Sequence, residues 1–206
     1  MSAAILEAAA WPHRVVPGAA DGAVILALHG TGADEHDLLA LAELVAPGRP
    51  VLSPRGPVKE GHANRWFRRF AEGRFDLPDV ERRAGELAAW LDAAKAEHGL
   101  AGRKVVALGF SNGANIAAAL LLRHPGVLAG AVLLRGQATL DATGATAAGM
   151  PVLLVSGAAD PIVPARESAR LADALRKAGA ALDHRVVPAD HGLTQQDVAL
   201  AKAFLA

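Results

Sequence analysis

Short apolar runs recur along the chain, and stretches of helical period separate them. Val24 to Leu28, Lys104 to Leu108, Ala129 to Leu134 and Val152 to Ser156 are almost continuously apolar. That is the pattern of strands buried on both faces. His13 to Val16, Pro50 to Leu52 and Leu182 to Val187 predict three further strands. Between the strands, Asp34 or Glu35 opens a predicted helix through Val45, with Leu38, Leu41 and Val45 on one face and Pro47-Gly48 as the stop. Asp79 to His98 is a long amphipathic helix ended by Gly99. Asn112 to Arg123, Pro164 to Ala178 and Thr194 to Leu205 complete the helices. Strands alternating with helices predict a parallel α/β sheet covered on both faces. Neither a repeat nor a linker interrupts the alternation, so residues 1–206 are expected to form one domain.

Composition narrows the function. Apolar residues make up 52% and charged residues 20%, with a formal net charge of zero and no long basic run. Nucleic acid and stable membrane association are therefore not expected. The chain has no cysteine, which excludes disulfides, thiolate metal sites and a cysteine nucleophile. The first residues, Met1 to Trp11, are apolar, but they lack a cationic start and Glu7 interrupts them. They do not read as a signal peptide, and a cytoplasmic protein is expected.

One stretch carries the chemistry: Val105-Val106-Ala107-Leu108-Gly109-Phe110-Ser111-Asn112-Gly113-Ala114-Asn115-Ile116. A predicted strand meets a predicted helix through G-x-S-x-G, the nucleophile elbow. Such a turn is sharp, and its glycines let strand and helix pass closely.

A serine hydroxyl is a weak nucleophile at neutral pH and needs a base, which in turn needs an orienting carboxylate. After a nucleophile elbow these follow in the order acid, then histidine. Asp160, in Gly157-Ala158-Ala159-Asp160-Pro161, follows a late strand. His191, in Asp190-His191-Gly192, follows the last one. Asp190 is the rival acid, poorly placed to bond the ring beside it. The loops carrying Ser111, Asp160 and His191 all leave carboxyl ends of parallel strands, where open α/β sheets bind ligands. An oxyanion needs two amide donors, expected from Asn112 and from Thr31 in His29-Gly30-Thr31-Gly32. His29 is expected to brace that loop. His98 and His124 fall at helix ends, and His13, His36, His62 and His184 read as surface or structural positions. No histidine pair has metal-ligand spacing, so neither metal nor cofactor is expected.

Val58 to Leu77 is the least regular segment. It holds Trp66, Phe67, Phe70 and Phe75, together with Arg65, Arg68, Arg69 and Arg74. Trp66, Phe67 and Arg69 are candidate substrate contacts: the rings as a pocket wall, the arginine as partner to a carboxylate or phosphate. Alternatively the arginines form surface pairs with Glu72, Asp76 and Asp79.

The chain resembles the phospholipase/carboxylesterase family of α/β-hydrolases, which includes acyl-protein thioesterases and small bacterial carboxylesterases. Leu28 to Gly32, Gly109 to Gly113, the loop from Gly157 to Pro164 and Asp190 to Gly192 carry the resemblance. It is more closely similar to a bacterial carboxylesterase subgroup linked to hydroquinone or catechol stress, through Thr31 to Leu39, Ser53-Pro54-Arg55-Gly56, Trp66-Phe67-Arg68-Arg69 and Ser111 to Asn115. The resemblance implies an α/β-hydrolase fold, a mainly parallel sheet of about seven strands with minimal or no cap. It implies Ser111 as nucleophile, Asp160 as orienting acid and His191 as base; hydrolysis of small carboxylic esters is the expected reaction. One position departs: thioesterase members usually have glutamine after the serine, and this chain has Asn112. Lysophospholipid or acyl-thioester cleavage is the first alternative, a non-catalytic ligand receptor the second, and a homodimer is compatible with either.

Overall fold

Residues 11–206 are described by a computed structural model; the apolar start of the chain, residues 1–10, lies outside the described residues. Seven strands form one sheet in the order β1 (His13–Val16), β3 (Val51–Pro54), β2 (Val24–Leu28), β8 (Val105–Phe110), β9 (Gly130–Leu134), β10 (Pro151–Gly157), β11 (Ala181–Val187). Only β1 runs antiparallel to its neighbour, and every other pairing is parallel.

Side chains alternate across the sheet with a period of two. In β2, Val24, Leu26 and Leu28 enter one apolar cluster while Ile25 and Ala27 enter the other. In β10, Val152 and Leu154 divide from Leu153 and Val155 in the same way. The first cluster is closed by α2 (Leu77–Glu97), α3 (Asn112–Arg123) and α4 (Ala165–Lys177). The second is closed by α1 (Leu39–Val45) and α5 (Gln195–Leu205). Helix α3 is buried from Asn112 to Leu122, which its run of alanines and leucines permits.

Two expectations shift. The helix expected from Asp34 or Glu35 begins only at Leu39, because the Asp34 carboxylate accepts the His36 amide at 2.9 Å and folds the chain into turns first. The irregular segment contains two small hairpins, β4 (Val58–Glu60) with β5 (Ala63–Arg65), and β6 (Arg69–Ala71) with β7 (Arg74–Phe75). They are anchored to the scaffold. The Arg68 amide donates to the buried Asp79 carboxylate at 2.8 Å, and Asp76 caps α2.

From β2 the chain moves to β3 on one side, and from β8 to β9 on the other. The sheet order therefore reverses between β2 and β8, and the loops that follow them open beside each other at that switch point. Among the described residues no helix is long and apolar enough to cross a membrane.

Candidate active site

The loop after β8 is a single residue, Ser111, at φ 51° and ψ −115°. This left-handed backbone costs about 1–3 kcal/mol and survives only where the surroundings enforce it. They do so here. The Ser111 amide donates to the Leu134 carbonyl at 2.8 Å, and α3 starts immediately after. A Cβ on Gly113 would sit 1.8 Å from the Leu28 carbonyl oxygen. The first turn of α3 thus lies hard against the end of β2, and only a hydrogen fits between them.

The Ser111 hydroxyl donates to His191 Nε2 at 2.9 Å, and His191 Nδ1 donates to Asp160 Oδ2 at 2.8 Å. The carboxylate can only accept, so it fixes the tautomer: the proton sits on Nδ1 and Nε2 is the acceptor. Asp160 is held in turn. Its Oδ1 accepts the amides of Ile162 at 2.8 Å and Val163 at 2.9 Å, which leaves Oδ2 for the ring. Asp190 is engaged otherwise: its Oδ1 accepts the Gly192 amide at 2.8 Å. The ends of β10 and of the His191 loop also touch closely, since a Cβ on Gly157 would lie 2.4 Å from the Asp190 carbonyl oxygen.

The loop after β2 is braced by His29. Its Nδ1 donates to the Gly30 carbonyl at 2.7 Å, and its Nε2 accepts the Gly56 amide at 2.9 Å. Burial holds this imidazole below its ordinary pKa, against the opposing pull of the Gly30 carbonyl. The amides of Gly32 and Ala33 are taken by the carbonyls of Asn64 and Gly30, while Thr31 lines the cavity and its amide has no partner among the described residues.

That cavity measures about 240 Å³, and Ser111, His191, Phe110, Ile162, Arg65 and Gln137 are among its walls. Of the three expected substrate contacts, only Arg69 lines it, and Arg69 is paired with Glu60 and Glu72. Trp66 and Phe67 are a correction. They are 1% and 0% exposed, and they pack in the core. Trp66 instead ties the hairpin segment to the elbow: its amide donates to Asn112 Oδ1 at 2.8 Å and its indole to the His29 carbonyl at 2.9 Å.

The residue that sequence reasoning missed is Arg135, at the end of β9. It is 0% exposed and has φ 55°. Its guanidinium donates to the carbonyls of Asp190 at 3.0 Å and Gly192 at 2.9 Å, on either side of His191, and pairs with Asp197. A charge closing the apolar run from Ala129 to Leu134 was the available signal. Elsewhere, Asp34, Glu35 and His36 lie close together, but Arg55 already holds the Glu35 carboxylate.

A strained serine, an oriented histidine and an engaged carboxylate around an open cavity at the switch point of an α/β sheet define the hydrolase class. Residues 13–206 match the phospholipase/carboxylesterase family, and the chain belongs to it. It is 39% identical to MhqD of Bacillus subtilis (strain 168), over 93% of this chain and 96% of that protein. The carboxylesterase of Bacillus cereus superposes with a TM-score of 0.90 at 38% identity, covering 99% of this chain and 98% of its own. A carboxylesterase from Mesorhizobium loti superposes with a TM-score of 0.88 at 32% identity, covering 95% and 94%. The family and these neighbours support an enzyme that hydrolyses esters.

Proposed function

We propose that this chain is a serine carboxylesterase of small esters that works through an acyl-enzyme on Ser111. His191 Nε2 takes the Ser111 proton as the oxygen attacks the ester carbonyl. The amides of Thr31 and Asn112 receive the oxyanion, and the start of α3 adds its dipole. His191 then protonates the leaving alcohol oxygen as the ester C–O bond breaks. Water repeats the sequence on the acyl-enzyme and releases the acid. Asp160 holds the ring and stabilises the imidazolium without taking its proton.

The unbroken bond chain from Ser111 through His191 to Asp160 carries this reading. The cavity bears on substrate size. At about 240 Å³ it falls short of the roughly 300–1,000 Å³ that drug-sized ligands occupy. A cavity of that size favours short acyl groups over the long chain of a lysophospholipid.

The test is a chain-length series of p-nitrophenyl esters, with wild type beside Ser111→Ala. Acetate or butyrate should turn over fastest, and the variant should lose on the order of 10⁴-fold or more in kcat. Preference for long chains would transfer the reading to lipid or thioester substrates. Equal turnover by the variant would remove Ser111 from the mechanism.

A further inference from the structure

The wall beside Ser111 is rich in hydrogen-bond donors with no acceptor assigned to them. Arg65 reaches it from β5 and is 2% exposed. Its Nη1 donates to Thr31 Oγ1 at 2.8 Å and its Nε to the Phe67 carbonyl at 3.3 Å, which leaves Nη2 unused among the described residues. Because Thr31 Oγ1 accepts from the guanidinium, its own O–H is left to donate into the cavity. Asn112 stands next to them. Its Oδ1 takes the Trp66 amide, while its buried Nδ2 has no partner. A buried donor without an acceptor is costly, and native structures rarely leave one without a reason.

Charge points the same way. Arg69 is neutralised locally by Glu60 and Glu72. Among the described residues Arg65 has one carboxylate in ion-pair range, the half-exposed Glu60 that it shares with Arg69, 3.4 Å from its Nε; Glu72, which also lines the cavity, is held by Arg69. Burial, and after it the neighbouring Arg69 charge, pulls the Arg65 guanidinium below its ordinary pKa against Glu60 and Glu72. A neutral acyl chain would dry these donors without satisfying them. A carboxylate would satisfy several at once through charge-assisted bonds.

We propose that the cavity selects esters carrying a carboxylate, and that Arg65 receives that group through Nη2, with the Thr31 hydroxyl beside it. The inference rests on the esterase reading of Ser111 and narrows its substrate to small anionic esters.

Two matched pairs of substrates test it. Monomethyl succinate against methyl butyrate places the carboxylate in the acyl half; para-acetoxybenzoate against phenyl acetate places it in the alcohol half. Acid release from wild type should show kcat/KM at least about tenfold higher for the anionic member of one pair. Arg65→Gln should bring that pair close to parity. Succinate or benzoate should inhibit wild type competitively, and less so as salt rises. This measurement, with the wild-type ratios, decides the matter even where Arg65→Gln fails to fold. Turnover of the neutral esters with no anionic preference and no carboxylate inhibition would overturn the inference and leave the esterase reading standing. An anionic preference kept in folded Arg65→Gln would overturn the assignment to Arg65. If no ester of either kind turned over, the esterase reading would fall, and calorimetric titration of Ser111→Ala with succinate would decide the anion subsite alone.

Discussion

Arg135 and Asp197 meet as a buried two-pronged ion pair, with Nη1 2.6 Å from Oδ1 and Nη2 2.9 Å from Oδ2. The same guanidinium holds the main chain on both sides of His191. Asp197 also receives the amide and hydroxyl of Thr194 and so caps α5. One ion pair therefore joins the end of β9, the His191 loop and the start of the last helix.

Arg135 is a positioning residue for His191, and its two roles separate by experiment. Arg135→Met leaves the Asp197 charge buried without its partner and should destabilise the fold by about 3–5 kcal/mol in urea titration. Adding Asp197→Leu removes that charge and should restore much of the loss. Activity should not follow. Without the guanidinium on the Asp190 and Gly192 carbonyls, the double variant should keep KM near wild type while kcat stays down by about tenfold or more. Recovery of kcat along with stability would reduce Arg135 to a purely structural residue.

Asp160→Asn tests the tautomer. The amide oxygen can still accept the Ile162 and Val163 amides that now bond Oδ1. The NH₂ group then faces His191 Nδ1 and favours the ring form with its proton on Nε2, which cannot accept from Ser111. Thermal stability should stay close to wild type, while kcat on a p-nitrophenyl ester falls on the order of 10³–10⁴-fold. A loss of less than tenfold would show that the carboxylate does not set the tautomer.

How far all this was legible before the structure depended on whether a signal was local. Buried strands announce themselves because both faces must be apolar: Val24–Leu28 lies in the sheet as expected, and the run expected from Ala129 does so from Gly130 to Leu134. The strand–turn–helix around Ser111 is equally local, and the structure brings Ser111, His191 and Asp160 within hydrogen-bond distance. Arg135 was not legible, because the groups it holds around His191 and on Asp197 lie 55 to 62 residues away. Trp66 and Phe67 misled for another reason. They lie in the irregular link between the two hairpins, where no period shows which side faces inward, so rings that fill the core read as a pocket wall. Arg65 was hidden among four arginines, and only burial distinguishes it.

Stability should depend on pH through histidines held neutral by burial. His29, His124 and His184 all have lowered pKa values, with burial as the main cause. In the unfolded chain each returns to about 6.5. Between that value and the lower folded pKa, the unfolded state binds more protons, so stability is full above about pH 6.5 and declines as pH falls toward the folded values. His29 adds a geometric reason, since Nε2 must remain unprotonated to accept the Gly56 amide. Urea midpoints measured from neutral to mildly acidic pH should fall for wild type and fall less steeply for His29→Gln. Parallel curves would remove His29 from the effect.

Gly113→Ala tests whether the elbow depends on close approach. The new methyl would stand 1.8 Å from the Leu28 carbonyl oxygen and 2.6 Å from that of His29, both backbone atoms that cannot swing aside. Either α3 backs away from the sheet or the end of β2 shifts. The first would open the apolar layer under a helix buried through eleven residues. The second would carry the His29–Thr31 loop, and with it the proposed oxyanion donor, away from Ser111. Overpacking of this kind costs about 1–3 kcal/mol, occasionally more, and here the cost should appear twice. The urea midpoint should drop, and kcat should fall in protein that remains folded, because Thr31 and Asn112 are no longer spaced for one oxygen. A folded Gly113→Ala with wild-type kcat would mean that the contact between β2 and α3 does not hold the site in register.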